Sequence, residues 1–176
     1  MNVFAIRHGE TVWSLSGQHT GTTDIPLTDN GRRLAEQMRP VLAKQTFALV
    51  LVSPMQRARE TCALAGLGDT AVIDSDLAEW NYGEYEGLTP NQIHEIAPGW
   101  LIFRHGCPGG EAPEQVGARV DRVIARASNW IGKQFPIQFH QFSQSRNPIT
   151  RSPDFQITRF TCCARRRRCP PRPRLR

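Results

Sequence analysis

The sequence predicts a single α/β domain, and three observations carry that expectation. Short apolar runs with β-branched or aromatic residues stand at Val3-Phe4-Ala5-Ile6 and Phe47-Ala48-Leu49-Val50-Leu51-Val52, with a weaker one at Ala71-Val72-Ile73, the character of strands in a buried sheet. The segments between and after them repeat apolar residues at helical spacing. At 176 residues the chain has the length of one domain whose core needs neither disulfides nor a structural metal.

Taken in order, the first strand ends at Arg7-His8-Gly9-Glu10-Thr11. Thr28 then caps a helix in which Leu34, Met38 and Leu42 recur every four residues and set one apolar stripe against the sheet. After the second strand, Ser53-Pro54-Met55-Gln56 reads as a helix start: a capping serine, a proline for the first turn and a glutamine at the capping-box position. That helix carries Arg57 close to the sheet edge. Thr89-Pro90-Asn91-Gln92 repeats the signal ahead of Ile93 and Ile96, and from Pro113 onward Val116, Val120, Val123, Ile124, Ala127 and Ile131 form a long amphipathic stripe.

Beyond Ala127 the pattern changes. Phe135, Phe139, Phe142, Phe155 and Phe160 are scattered among Gln, Ser, Asn and Pro; Ile137-Gln138-Phe139-His140 alternates like a short strand, but no later helix has an apolar face. Charge breaks at the same place. Residues 1–130 hold 11 Lys/Arg and 15 Asp/Glu, whereas residues 131–176 hold 11 Lys/Arg and one Asp. The expected organisation is therefore a partial α/β domain over residues 1–131 and an atypical, basic, poorly ordered segment over residues 132–176. A change of reading frame or gene boundary near residue 128 is one source for such a break.

The run Arg165-Arg166-Arg167-Arg168 beside Pro170, Pro171 and Pro173 attracts any polyanion by charge alone. It lacks the aromatic interleaving of a nucleic-acid surface, so no specific nucleic acid is predicted as a partner. No apolar run reaches the roughly 20 residues of a membrane span, and the opening MNVFAIRHG has no basic region followed by a secretory apolar segment. Five scattered cysteines do not form a disulfide framework, and Cys162, Cys163 and Cys169 have no second ligand pair beside them. A cytoplasmic protein with reduced thiols and no metal or other cofactor is expected. Oligomeric state is not legible.

The sharpest chemical signal is His8. A neutral imidazole can attack phosphorus when cations hold the phosphoryl oxygens, and Arg7 and Arg57 sit at strand ends that share one crevice in a parallel sheet. Taken alone, a strand-end histidine is as readily satisfied by a backbone carbonyl; Gly9, the Ser-Pro-x-x-Arg unit and the acidic turn at residues 79–87 together favour a phosphate pocket. In that turn Glu79 can protonate a leaving alkoxide and then activate water, with Glu84 and Glu86 as competitors on spacing alone. Ser14 and Thr20 can donate to phosphate, and Gln18, Gly21 and Thr22 can face the organic part of a substrate, although such residues also serve merely to cap turns.

These residues fall in ordered blocks, Arg7-His8-Gly9-Glu10-Thr11-Val12-Trp13, Gly21-Thr22-Thr23-Asp24-Ile25-Pro26-Leu27-Thr28, Ser53-Pro54-Met55-Gln56-Arg57-Ala58-Arg59-Glu60-Thr61, and Glu79 with Tyr82-Gly83-Glu84-Tyr85-Glu86-Gly87, which together closely resemble the histidine phosphatase superfamily, also called phosphoglycerate-mutase-like. The resemblance implies a three-layer α/β/α domain, here incomplete on its C-terminal side, that hydrolyses the phosphate monoester of a small phosphorylated metabolite without a metal. It implies transient phosphorylation of His8, phosphate binding by Arg7 and Arg57, a proton-donor role for Glu79, and for Ser14 a phosphate-contacting position often held by asparagine. The short stretch between Glu79 and the helix from Pro113 looks more like small phosphatases than the larger mutases.

Members of that family carry a second catalytic histidine, followed by glycine, at the end of a late apolar strand. Here His105-Gly106 comes too early, and His140 precedes Gln141. Loss of that imidazole removes one hydrogen bond to the transferring phosphoryl group, on the order of 10²-fold in rate. Reduced or lost turnover follows as an expectation, with an inactive phosphate-binding fragment, a phosphoglycerate-type mutase and a non-specific anion-binding tail protein as the alternatives.

Overall fold

Thr28 starts the central helix. Its hydroxyl accepts the Gly31 N–H at 2.9 Å, and the helix it caps, α2 (Asp29–Leu42), buries Leu34, Ala35, Met38 and Leu42. Ahead of it lie β1 (Asn2–Ile6) and the short α1 (Val12–Ser16); after it come β2 (Val50–Val52), α3 (Gln56–Leu64) and β3 (Ala71–Ile73). α4 (Pro90–Ile96), α5 (Ile102–His105) and the long α6 (Pro113–Gln134) follow, then a hairpin of β4 (Asn147–Ser152) and β5 (Phe155–Thr161). This computed structural model describes residues 2–134, 147–152 and 155–161. The fold is the three-layer α/β/α arrangement around a mixed helix and sheet core.

Two apolar centres organise it. Ala35, Met38, Leu42 and Ala65 form the first, with Phe4, Ile6, Phe47, Leu64 and Leu67 packed against them. Phe4 meets Phe47 edge to face, ring centroids 5.4 Å apart, so β1 and the approach to β2 share one core. Trp80, Tyr85, Ile93 and Cys107 form the second, beneath the turn that follows β3.

The strands pair differently from the single parallel sheet expected from sequence. β2 and β3 are parallel, Val50 opposite Ala71 through Val52 opposite Ile73, whereas β1 lies antiparallel to β5, Asn2 opposite Thr161 through Ile6 opposite Ile157, in a separate sheet ordered β1-β5-β4. The end of β1 reaches α3 through a side chain instead of a ladder: the Gly9 N–H donates to Thr61 Oγ1 at 2.9 Å.

Three local expectations are corrected. α3 begins at Gln56 with Met55 in extended conformation at its cap, and Asp24 takes the Gln56 N–H at 2.7 Å where Ser53 was expected to cap. β2 is three residues long, because Phe47 turns onto Phe4 and the α2 core before pairing starts. On the amphipathic helices, Ile93 is fully buried but Ile96 is 66% exposed, and on α6 Val120 and Ile124 are exposed while Val116, Val123 and Ala127 are half-buried. The Thr89 capping box forms as expected, Thr89 Oγ1 accepting from the Gln92 N–H and Gln92 Oε1 from the Thr89 N–H. The alternating stretch at Ile137–His140, and the Cys162, Cys163 and Cys169 cluster, lie outside the described residues.

Candidate active site

Gly9 and Gly31 let the loop after β1 lie directly on the first turn of α2. A Cβ on Gly9 would meet the Gly31 carbonyl oxygen at 2.7 Å, and one on Gly31 would meet the Glu10 carbonyl oxygen at 2.3 Å. Glu10 fastens the contact, its carboxylate accepting from the Thr28 hydroxyl at 2.6 Å and the Asn30 amide at 3.1 Å. With the loop pinned there and to Thr61, His8 is held half-buried at its outer edge.

His8 Nδ1 lies 2.7 Å from the Gly9 carbonyl oxygen. A carbonyl only accepts, so Nδ1 carries the proton and the Nε2 lone pair is free. Burial lowers the His8 pKa below the ordinary histidine value; the Gly9 hydrogen bond opposes this, and the positive charges of Arg57 and Arg7 reinforce it. The sum is a neutral imidazole beside two cations, with the Glu79 carboxylate also close enough to act on it. Glu86, a competitor of Glu79 on spacing, joins it in acting on Arg57 and His19.

Arg57 is 1% exposed. Its NH1 donates to the Thr23 carbonyl at 2.9 Å, and its NH2 to the carbonyls of Gly21 at 2.8 Å and Thr20 at 3.3 Å. A guanidinium has five N–H donors, so Nε–H and one NH1 hydrogen remain for an oxyanion. The other side of the same loop is held by Glu86, whose Oε1 accepts from the amides of Gly21 at 2.7 Å and Thr23 at 3.0 Å. Gly21 is required at this crossing, since a Cβ there would lie 2.1 Å from the Trp80 carbonyl oxygen.

Arg7 and Glu79 are exposed at the mouth, and Glu79 Oε1 accepts its neighbour Trp80's N–H at 2.8 Å. The Ser14 hydroxyl is engaged within the first turn of α1, donating to the Thr11 carbonyl and accepting the Thr11 N–H, both at 2.8 Å. Gln18 donates to the Gly87 carbonyl at 2.7 Å, and the Thr20 hydroxyl to the Gln18 carbonyl at 3.3 Å. The structure thus brings His8, Arg7, Arg57, Gly21 and Glu79 to one place and leaves the Ser14 hydroxyl bonded within its own turn and the Gln18 amide bonded across to the Gly87 carbonyl.

Several residues here were not assigned site roles from sequence. Thr61 joins the two halves by accepting from Gly9 and donating to the Arg57 carbonyl at 2.7 Å. Asp24 caps α3, and Glu86, weighed from sequence as a competing acid, anchors the loop through Oε1. His19 stacks on Tyr82 with ring centroids 4.5 Å apart, and burial pushes the Tyr82 hydroxyl up to about 12. The Gly21–Thr28 block was the signal for Asp24 and the loop; the partners across the chain had none. No cluster of potential metal ligands occurs among the described residues, and no described helix is long and apolar enough to cross a membrane.

Among similar proteins are an acid phosphatase of Mycobacterium tuberculosis, 43% identical over 148 residues covering 83% of this chain and 72% of the relative, and sedoheptulose 1,7-bisphosphatase of Saccharomyces cerevisiae, 39% identical over 147 residues covering 70% of this chain and 54% of the relative. Among solved structures, the product of open reading frame Rv3214 of Mycobacterium tuberculosis superposes with a TM-score of 0.68 at 45% identity, covering 73% of this chain and 67% of that one. A mycobacterial glucosyl-3-phosphoglycerate phosphatase in complex with VO3 gives 0.66 at 30% identity, covering 73% and 67%. The profile of the histidine phosphatase superfamily (branch 1) matches residues 3–134. The chain belongs to the histidine phosphatase superfamily, branch 1.

Proposed function

We propose that the protein hydrolyses phosphate monoesters of small metabolites through a phosphohistidine on His8 Nε2. The observation that carries the reading is the Nδ1–H to Gly9 carbonyl bond, which leaves Nε2 unprotonated beside Arg57 and Arg7. Family membership supports phosphomonoester hydrolysis of this type.

In the first step Nε2 attacks phosphorus, the N–P bond forms and the P–O bond to the alcohol breaks. Glu79, entering as the carboxylic acid, gives its proton to the departing oxygen. In the second step water attacks phosphorus and gives its proton to the Glu79 carboxylate; the N–P bond breaks and inorganic phosphate leaves. The free Nε–H and NH1 hydrogens of Arg57, with Arg7, bind the phosphoryl oxygens as charge builds on them. The buried Arg57 is pre-positioned by three loop carbonyls, so no reorganisation is needed at that moment.

A second reading, phosphate binding without turnover, draws on His105. Its Nδ1 accepts the Leu101 N–H at 2.9 Å, so that ring nitrogen is taken by a bond within α5 and its cap. Phosphate release from a panel of phosphomonoesters decides between the readings, with His8→Ala as control and circular dichroism on both proteins. Turnover that vanishes in a folded His8→Ala supports hydrolysis. A folded wild type that binds inorganic phosphate and releases none from any ester supports the binding reading.

A further inference from the structure

Glu79 belongs to no helix or strand, since residues 78–82 are irregular, yet it must meet a leaving oxygen within a fraction of an ångström. Its placement comes from α6. Arg119, 9% exposed, donates through NH1 to the carbonyls of Ala78 at 2.6 Å and Asp76 at 2.9 Å, fixing the backbone immediately before Glu79. Its Nε and NH2 grip both oxygens of Glu111 at 2.8 and 3.1 Å. Glu111 in turn fixes the backbone immediately after Glu79: its Oε2 accepts the Asn81 N–H at 2.9 Å, its carbonyl accepts the Trp80 indole N–H at 3.0 Å, and its own N–H donates to the Asn81 carbonyl at 2.9 Å.

Glu111 is built to stay ionised. Burial pushes the Glu111 carboxyl up, but the bonds from Arg119 and the Asn81 amide outweigh it and hold the group below its ordinary range. Four hydrogen bonds from one planar fork, two to a carboxylate and two to carbonyls, are beyond the reach of an ammonium group. Arg122 and Arg126 hold Asp76 and Asp74 one step earlier, so the same face of α6 grips the whole approach to Glu79. We infer that Arg119, paired with Glu111, is the positioning residue for Glu79, bracketing it from both sides and aiming its carboxyl at the leaving oxygen.

The inference rests on Glu79 acting as the proton donor, and leaving-group chemistry isolates that role. An alkyl phosphate such as glycerol phosphate needs a proton on its departing oxygen; dinitrophenyl phosphate does not. Arg119→Lys is expected to lower kcat/KM, which reports the steps up to departure of the alcohol and leaves out the phosphohistidine hydrolysis common to both esters, on the order of 10²-fold for the alkyl ester and by less than about threefold for the aryl ester. Glu79→Gln is expected to give the same split, and the double variant to be no slower than Glu79→Gln alone. An equal loss on both esters, or a double variant slower by the product of the two effects, overturns it.

Amide exchange at Trp80, whose N–H rests on the Glu79 carboxylate, is measured in the same folded proteins. Faster exchange in Arg119→Lys is expected, and unchanged protection overturns the inference even if wild type turns over neither ester, the outcome that would refute the hydrolase reading separately. Should Arg119→Lys fail to fold, Glu111→Gln removes the same grip and is judged by the same two readouts.

Discussion

Replacing Thr61 by valine keeps the shape of the side chain and removes one oxygen. That oxygen accepts the buried Gly9 N–H at 2.9 Å and donates to the Arg57 carbonyl at 2.7 Å. The second loss is small, because the Arg57 carbonyl keeps its partner within α3. The first leaves a buried amide with nothing to donate to, a penalty of roughly 1–3 kcal/mol. We expect a destabilisation of about 2 kcal/mol, which for a domain of this size lowers Tm by roughly 4–8 °C. Thr61→Ser keeps the hydroxyl and loses a methyl, so it should cost only about 1 kcal/mol. Urea and thermal unfolding followed by circular dichroism check both. If Thr61→Val unfolds within about 0.5 kcal/mol of wild type, or Thr61→Ser does as much damage as Thr61→Val, the joint between the His8 loop and α3 is not where we place it.

Three further outcomes follow from the same geometry. Glu86→Ala frees the amides of Gly21 and Thr23 and is expected to weaken inorganic phosphate binding by about tenfold through the loosened Arg57, a change of about 1.4 kcal/mol, while Glu86→Gln retains an acceptor and loses less; calorimetric titration measures both. Because burial and the positive neighbours hold the His8 pKa below its ordinary value, kcat/KM should rise with pH through an acid limb lying below that value; removing a cation in Arg7→Gln raises the His8 pKa and moves the limb to higher pH, and an unmoved limb would count against His8 as the titrating group. Asp24→Ala removes the acceptor from the first amide of α3 and should cost about 1 kcal/mol in urea unfolding, with Ser53→Ala costing less.

What could be read from sequence was what depends on near neighbours. Thr28 and Thr89 cap the helices they precede because a side chain reaching three residues ahead needs no knowledge of the fold. The stripe Leu34, Met38, Leu42 is buried because any α/β core covers such a face. His8, Arg7, Arg57 and Glu79 were legible as ordered blocks, and the structure brings them together. Asp24 displaced Ser53 as the α3 cap because the carboxylate arrives from a loop 32 residues earlier, which no local pattern records.

Glu86 looked as suitable an acid as Glu79 until the fold turned it onto the amides of Gly21 and Thr23. Ile96 and Ile124 carry the periodicity of buried residues and are exposed, since periodicity states which face is apolar and not what covers it. Strand pairing was the least legible feature: an apolar run such as Val3–Ile6 has the same pattern beside a parallel or an antiparallel neighbour, and β1 took β5.

In the proposed reaction His8 Nε2 is the atom that takes the phosphoryl group. The direct measurement is 31P NMR of the rapidly quenched protein after mixing with a monoester it consumes or, lacking one, with phosphoramidate, together with mass spectrometry of the peptide carrying His8. A phosphoryl group on Nε2 of His8, absent from folded His8→Ala, is the expected result. Phosphate on Nδ1, on another residue, or on none in the folded wild type would contradict it.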